Sequence, residues 1–379
     1  MSGRKVFLKK GSLKDLGCEM LIPIEFDLAC FTTDRDRKVG IHEIGLHQDL
    51  LEVLLHCGVL VYSGDSFHDS PLIQRIYQLP VELRKSWELA LQNCARFRSS
   101  NRQWDGAINI ENPHSHCENP TLAIVCDHTA VCETRDGQTR YSLIKNTATG
   151  DVEIIGMDFV RRSQLLTKFK VTCGALIVEG NDLNSVWNER FLWLVRAENI
   201  KNVSIVDSWA LLNSPALRNI PPAEICGSQR FIKNLAREAA GEKYLKIYTS
   251  WGDQSESLSK PERKRAALDY ARLLNQELEQ RDNKNIKEVE IIILNQKEFR
   301  RCYHDRYVRF GDFIWDIGNG LQCFEGERQC KKRVQASFKA GKLIAKDYKD
   351  SEQVLKQSNN RTAMRVLIGN DRSVKMSES

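Results

Sequence analysis

A short stretch near residue 310 brings together side chains that can hold a phosphate group. Its sequence over residues 304–320 is HDRYVRFGDFIWDIGNG. Two runs that alternate aromatic or β-branched residues with charged ones flank Gly311-Asp312, and this pattern predicts a β-hairpin with a tight turn. His304 and Arg306 precede the first strand and carry donors for an anion, and Asn319 lies in a Gly-Asn-Gly loop whose backbone can approach a ligand closely. The stretch therefore predicts a phosphate-sized anion pocket.

Three aspartates in the first half of the chain form a second candidate site. Asp27, Asp127 and Asp158 each follow a run of apolar residues that predicts a strand. Carboxylates gathered at one edge of a sheet can hold Mg²⁺ or Mn²⁺ and activate water for phosphodiester cleavage, as PIN-like nucleases do. The alternative is structural, because aspartate is common wherever a strand gives way to a turn.

Six histidines and cysteines lie close together: His114, His116, Cys117, Cys126, His128 and Cys132. Imidazole and thiolate are the ligands that zinc prefers, but the spacing matches none of the usual paired zinc frames. Cys126 also ends an apolar run, where a cysteine behaves as a small hydrophobic residue. We expect that Cys126 and His128 are not zinc ligands.

The composition indicates two domains and excludes a membrane protein. The chain has 379 residues, of which 41% are hydrophobic and 28% charged, with a formal net charge of +6. This length favours two domains, and the charge permits a polyanionic partner without requiring one. The 12 cysteines form no ordered ladder, the first residues carry no apolar signal segment, and no apolar run is long enough to span a membrane. We expect a cytoplasmic protein with reduced cysteines.

Alternating strand and helix patterns predict an α/β fold with three segments. Residues 1–170 mix strands and helices in an order that does not define a topology. Residues 171–340 follow the order of a doubly wound sheet, with helices flanking a central sheet. Residues 341–379, which are rich in lysine, are expected to form a basic helical or flexible tail.

The carboxyl ends of strands in such a sheet are the usual place for ligands. Asp207 ends one predicted strand, and Ser250 and Trp251 end another. They are expected to share a crevice with the anion pocket. A basic segment after the hairpin supplies further candidate ligand-binding residues, which are Lys331, Lys332 and Arg333.

The run HDRY…GDFIWDIGNGL resembles the C-terminal domain of microtubule-interacting-and-trafficking (MIT) proteins, a phospholipase-D-like family with a pattern close to H-D-R…G-W…I-G-R-G-L. The resemblance covers about residues 187–339. It implies a phospholipase-D-like sheet, a homodimer, and binding of phospholipid headgroups. Asn319 stands where the family usually has an arginine, which removes a positive charge from the pocket and puts lipid binding in doubt.

The same resemblance defines a candidate catalytic set of His304, Arg306 and Asp312. Phospholipase-D-type enzymes use two H-x-K-x4-D motifs, with one histidine as nucleophile and the other as general acid. This chain has a single H-x-R, with Gly311 at the expected aspartate position and Asp312 one residue later. Catalysis without a metal would therefore need a homodimer that pairs two copies of His304.

These features together predict a protein that recognises phosphate groups on a polyanion, and they favour nucleic acid. Similar domains occur in prokaryotic conflict systems, so the resemblance also implies a role in anti-phage defence together with other subunits. One alternative is a metal-dependent nuclease that uses the N-terminal aspartates. The other is a non-catalytic scaffold that binds anionic lipid or a partner protein.

Overall fold

The structure is a computed structural model. It describes residues 21–379 except for 32–33, 35–36, 65, 94–96, 101–107, 109–120, 127–131, 136–137, 142, 147–149, 175, 213–216, 218–225, 253–257, 280–283, 303–305, 326–327, 331, 358–362 and 379. Helices and sheets, both parallel and mixed, confirm the α/β class. The described chain divides into two compact units, unit 1 (residues 21–171) and unit 2 (residues 172–379). No helix in the described part of the chain is both long and apolar enough to cross a bilayer.

Unit 1 is built on a six-stranded sheet. The strands of unit 1, in chain order, are β1 (Ile22–Phe26), β2 (Gly58–Ser63), β3 (Phe97–Ser100), β4 (Thr121–Val125), β5 (Cys132–Arg135), β6 (Gln138–Tyr141), β7 (Leu143–Asn146) and β8 (Gly150–Gly156). Its helices are α1 (Ile41–His56), α2 (Pro71–Tyr77), α3 (Val81–Asn93) and the start of α4 (Gln164–Gly174). The strand order is β3-β2-β1-β4-β8-β7, with all neighbours parallel except β7 and β8. Strands β5 and β6 form a separate antiparallel pair.

An aromatic cluster with a buried histidine lies in the core of unit 1. The rings of Phe26 and Phe31 contact Trp87 at centroid distances of 5.8 and 5.2 Å. The indole N–H of Trp87 donates to Nδ1 of His47 at 3.0 Å, so that nitrogen acts as an acceptor. Burial lowers the pKa of His47 to about 4, and Arg37 adds to the effect. His47 is therefore a neutral core residue at pH 7.

Unit 2 contains a nine-stranded sheet with helices on its faces. Its strands are β9 (Leu176–Ile177), β10 (Asn202–Val206), β11 (Lys243–Ser250), β12 (Ile286–Leu294), β13 (Tyr307–Phe310), β14 (Phe313–Ile317), β15 (Val334–Ala340), β16 (Met364–Ile368) and β17 (Val374–Glu378), and its helices are α5 (Leu183–Arg190), α6 (Leu192–Arg196), α7 (Gly227–Glu238), α8 (Lys260–Glu279), α9 (Gln296–Cys302) and α10 (Lys342–Gln357). The order is β17-β16-β12-β11-β10-β13-β14-β15-β9. Strands β10, β11 and β12 are parallel, and β13 pairs antiparallel with β10.

The predicted hairpin has the expected strands and turn. Strands β13 and β14 pair antiparallel from Tyr307↔Asp316 to Phe310↔Phe313. Gly311 in the turn has a φ of +60°, which glycine adopts without steric cost. The alternation of side chains in the two strands and the glycine in the turn are enough to predict this hairpin from the sequence.

The segment expected to form a tail instead completes unit 2. Residues 342–357 form α10, which packs on the sheet, and β16 pairs with the central strand β12. Arg309 on β13 donates to Glu352 on α10 through two hydrogen bonds of 2.7 and 2.6 Å, and both side chains are buried. Ser204 on β10 also donates to Glu352 at 2.9 Å. Residues 342–357 are helical, as one form of the prediction had it, but the segment is not a tail, because one face of α10 makes buried contacts with the sheet and β16 and β17 belong to that sheet.

Candidate phosphate-binding site at the sheet edge

The carboxyl ends of the parallel strands of unit 2 meet the start of the hairpin at one edge of the sheet. Val206, the last residue of β10, pairs with Tyr307, the first residue of β13. The antiparallel pairing therefore places Asp207 beside Arg306, as expected from the chain order. Strand β14 ends at Ile317 next to Arg306, since the Ile317 amide donates to the Arg306 carbonyl at 2.6 Å.

Asp207 is a buried carboxylate that organises this edge. Its Oδ1 accepts from the amide of Trp209 at 2.9 Å, and its Oδ2 accepts from the amide of Leu321 at 2.8 Å. Burial raises the pKa of Asp207 above its ordinary value, while these hydrogen bonds and the charge of Arg306 act in the opposite direction. Asp207 thus ties the end of β10 to the loop that follows β14.

Close packing makes two glycines necessary in this arrangement. Gly320 has a φ of +68°, and a Cβ at this position would lie 2.3 Å from Oδ2 of Asp207. A Cβ on Gly227, the first residue of α7, would lie 1.9 Å from the Leu321 carbonyl oxygen. Both glycines allow the loop after β14 to sit directly on Asp207 and on the start of α7.

Arg306 lies between Asp207 and the ring of Trp209. Its Nε lies 3.9 Å from Oδ1 of Asp207, beyond hydrogen-bonding distance, and its guanidinium carbon lies 5.6 Å from the centre of the Trp209 ring. The side chain is 21% exposed. Within the described residues the guanidinium makes no hydrogen bond. Burial lowers the pKa of Arg306, and Asp207 opposes this shift. The result is a recessed, oriented cation at the edge of the sheet.

Two of the predicted ligand-binding residues are structural. Ser250 is fully buried and accepts from the Gly252 amide, and its hydroxyl lies within hydrogen-bonding distance of two acceptors for its one proton, the Ser208 carbonyl at 3.0 Å and Oε1 of Gln296. Trp251 is also fully buried. The chain order places both at the correct edge, but their side chains belong to the core, which corrects the prediction that they contact a ligand.

Asp312 is not part of this site. It lies in the hairpin turn, at the opposite end of β13 from Arg306, and its Oδ1 accepts from Nζ of Lys349 at 2.7 Å. Four strand residues of about 3.4 Å each separate the two ends. The structure therefore does not bring Arg306 and Asp312 of one chain together, because an extended strand lies between them.

The other predicted residues of the hairpin region lie at or near the same edge. Asn319 is exposed, and its Nδ2 donates to the Arg333 carbonyl at 3.2 Å. Nζ of Lys332 donates to Oε1 of Gln322 at 3.1 Å. Lys332 and Arg333 are exposed. The predicted residues His304 and Lys331 lie outside the described residues.

Asp27, one of the three aspartates predicted to hold a metal in unit 1, lies where the strand order reverses between β1 and β4. Asp27 follows β1, Asp158 lies just after β8, and Asp127 follows β4 in the chain but lies outside the described residues. Asp27 accepts from the Ala29 amide at 2.8 Å and from the Ile108 amide at 3.0 Å. Its carboxylate therefore has the capping role that was the structural alternative.

A metal site needs several ligating side chains close together, and this can be judged for the described part of the chain. There, no group of three or more histidine, cysteine, aspartate or glutamate side chains is arranged to hold a metal ion. Cys126 is exposed, and His128 is among the residues that are not described. Both predictions that concern metals in unit 1 stay predictions.

Two further features of the edge are the ring of Trp209 and the close packing of Gly320. Trp209 contributes a half-buried ring beside Arg306, and Gly320 provides the close approach to Asp207. Trp209 lies three residues after the end of β10, and this position near a strand end is a signal that the sequence contains. The specific need for glycine at 320 depends on a contact between residues more than 100 positions apart, so no local pattern indicates it.

A scan against models of protein families found no match, and a search of curated proteins found no similar sequence.

Proposed function

We propose that unit 2 is a phospholipase-D-like module that recognises phosphate groups of nucleic acid. The observation that supports the proposal is the state of Arg306. Its guanidinium is recessed and oriented by Asp207 and Trp209, yet in the described part of the chain it makes no hydrogen bond. The side chain keeps 21% of its surface exposed, so a ligand can reach its donors from solvent. An anionic ligand at this edge would supply the acceptors.

The chemistry of the edge favours nucleic acid over a lipid headgroup. A guanidinium can donate two parallel hydrogen bonds to a phosphate, a geometry that an ammonium group does not reproduce. The ring of Trp209 lies beside Arg306 and offers a surface on which a base can stack. Lys332 and Arg333 are exposed near the same loop and add positive charge. A nucleotide can place its phosphate on Arg306 and its base on the ring of Trp209, whereas a lipid headgroup has no base for the ring.

The site as a single chain supports recognition rather than cleavage. The position of Asp312 at the far end of the hairpin removes one member of the expected catalytic set. Metal-free cleavage would then require a homodimer that brings together His304 from two copies. We therefore propose binding as the primary activity of unit 2.

The experiment compares Arg306→Lys and Arg306→Gln with Arg272→Gln, an exposed arginine of α8 whose partner is Asp269. Fluorescence anisotropy with labelled single-stranded DNA and RNA measures affinity, and flotation with phosphatidylserine vesicles measures lipid binding. Hydrogen bonds to charged groups contribute about 1.5–3 kcal/mol, so Arg306→Gln should weaken nucleic-acid binding by about 10- to 150-fold. Arg272→Gln should bind like the wild type. Equal binding by all variants, or vesicle binding without nucleic-acid binding, would overturn the proposal.

A second candidate function is a metal-dependent nuclease in unit 1. The supporting observation is that Asp27 lies at the carboxyl end of β1, beside β4, where the order of the parallel strands reverses. This is the usual ligand site in open α/β sheets. Incubation of the same labelled DNA and RNA with Mn²⁺ or with EDTA tests it. Cleavage that EDTA abolishes and that Asp27→Asn reduces would support this function, and metal-independent cleavage would contradict it.

The cellular setting of the proposal comes from the resemblance to MIT C-terminal domains. We place the protein in the cytoplasm, as a homodimer that acts in prokaryotic anti-phage defence together with other subunits. Size-exclusion chromatography with light scattering tests the dimer, and plaque counts on cells that carry wild-type or Arg306→Gln protein test the defence role.

A further inference from the structure

Helix α8 begins at the same edge of the sheet as Arg306. Strand β11 ends at Ser250 on that edge, and α8 follows it in the chain. The other end of α8 is tied to the opposite edge, because Asn275 donates to the Arg372 carbonyl at 3.1 Å and Arg372 donates to the carbonyl of Ile286, the first residue of β12, at 3.2 Å. The helix has 20 residues, and its length of about 30 Å matches that of the strands. Its first turns therefore return to the carboxyl edge.

The first turns of α8 have an unfavourable charge for a helix start. They carry four basic residues and a single acidic one: Lys260, Arg263, Lys264, Arg265 and Glu262. Cations are disfavoured near a helix N-terminus, where the helix dipole is positive. Glu262 is already used by the helix, since it accepts from the amide and hydroxyl of Ser259 at 2.7 and 2.6 Å. Lys260, Lys264 and Arg265 are exposed. The helix dipole therefore does not favour the exposed cations Lys264 and Arg265 at this position.

Further cations continue along the same edge. Exposed Lys297 and Arg300 belong to α9, which starts directly after β12. Arg306 directly precedes β13, and exposed Lys332 and Arg333 lie near the loop after β14. Strands β12 and β14 are separated by four intervals in the sheet, or about 19 Å at about 4.8 Å per interval. An edge of this width can contact only a short stretch of a single strand, a few nucleotides long.

We infer that the carboxyl edge of the nine-stranded sheet is a binding track for a single strand of nucleic acid, with the first turns of α8 binding phosphates next to the one held by Arg306. This inference rests on the proposed function and adds the form and length of the ligand. Arg306 is recessed and Trp209 is half-buried. A flexible single strand can place a phosphate and an unpaired base there, whereas the bases of a duplex are stacked inside it.

The test uses Lys264→Glu combined with Arg265→Glu. The matched control is Lys284→Glu combined with Lys375→Glu, which changes the net charge equally with exposed residues away from this edge. Fluorescence anisotropy measures binding of labelled oligothymidines of 3, 6 and 12 nucleotides, and of a 12-base-pair duplex, at several salt concentrations. The acidic residues suit the start of α8, so the melting temperature should not fall.

The expected effect follows from counterion release. Loss of two phosphate contacts makes the slope of log K against log[salt] shallower by about 1.4. Counted from equal binding at 1 M salt, affinity is then lower by about 60-fold at 50 mM salt and by about 10-fold at 200 mM. Wild-type affinity should rise strongly from 3 to 6 nucleotides and only slightly from 6 to 12, and the duplex should bind more weakly than the 12-mer.

The outcomes separate this inference from the proposed function. If Arg306→Gln weakens binding while the α8 variant and the control bind like the wild type, the track is refuted and the phosphate site stands. Tighter binding of the duplex than of the single strand would also refute the track. If neither variant changes binding, both proposals fail. An equal loss in the α8 variant and in the control would show that only net charge matters, and this too would refute the track.

Discussion

Gly320→Ala should destabilise unit 2 much more than the same change at Gly311. The two glycines have nearly equal φ values of +68° and +60°, so both substitutions carry the cost of a left-handed backbone, about 1–2 kcal/mol. At Gly311 a new Cβ would meet only Ile200, at 3.8 Å. At Gly320 it would lie 2.3 Å from Oδ2 of Asp207 and would displace the hydrogen bond from the Leu321 amide. A hydrogen bond to a charged group adds about 1.5–3 kcal/mol. The expected totals are about 1–2 kcal/mol for Gly311→Ala and about 3–5 kcal/mol for Gly320→Ala.

Differential scanning calorimetry and urea unfolding followed by tryptophan fluorescence measure this difference. For a unit of this size, 1 kcal/mol shifts the melting temperature by about 2–4 °C, so Gly320→Ala should lower it by at least about 6 °C. Asp207→Ala in the Gly320→Ala background removes the clash, so the two destabilisations should add to more than the double variant shows. Equal effects at the two glycines, or simple additivity with Asp207→Ala, would refute the proposed packing of the loop on Asp207.

Two further predictions concern charged groups in the cores. Glu352→Gln should lower the free energy of unfolding by about 3–5 kcal/mol, because it leaves the buried charge of Arg309 without its partner. Asp312→Asn breaks an exposed pair and should lower it by less than about 1 kcal/mol. Equal losses of stability in urea unfolding would contradict the claim for Glu352. The pKa of His47 is lowered to about 4 in the folded state, so the unfolded chain binds a proton more readily. The stability that His47 contributes is therefore fully present above pH 6.5 and falls as the pH drops towards 4. The loss is about 3 kcal/mol, and His47→Asn should flatten this part of the profile; an unchanged profile would show that another group is responsible.

The sequence was informative wherever a structural feature depends on neighbouring residues. The hairpin followed from strand alternation around Gly311-Asp312, and the position of Asp207 beside Arg306 followed from the order of strands and the rule that ligands meet carboxyl ends. Whether a side chain at a strand end faces a ligand or the core is not local information. Trp251 and Trp209 both lie just after a strand of the same sheet, yet Trp251 is fully buried and Trp209 is only half-buried.

The C-terminal segment shows the other limit of sequence reasoning. The charged face of α10 indicated a solvated tail, but Glu352 on that helix pairs with Arg309, 43 positions earlier. Strand β16 pairs with β12 across about 75 residues of chain. Pairings between residues so far apart in the chain determine which strands join the sheet, but they leave no periodic pattern in the sequence of the C-terminal segment.

The central claim is that Arg306 binds a phosphate, and a double-mutant cycle between protein and ligand tests it most directly. Isothermal titration calorimetry would compare wild-type and Arg306→Lys protein with a six-nucleotide strand and with the same strand carrying neutral methylphosphonate linkages, introduced one position at a time. Arg306→Lys keeps a cation near Asp207, so folding should be little affected. We predict that at one linkage the two changes are coupled by at least about 1.4 kcal/mol, a tenfold effect. Additive losses at every linkage would contradict the claim.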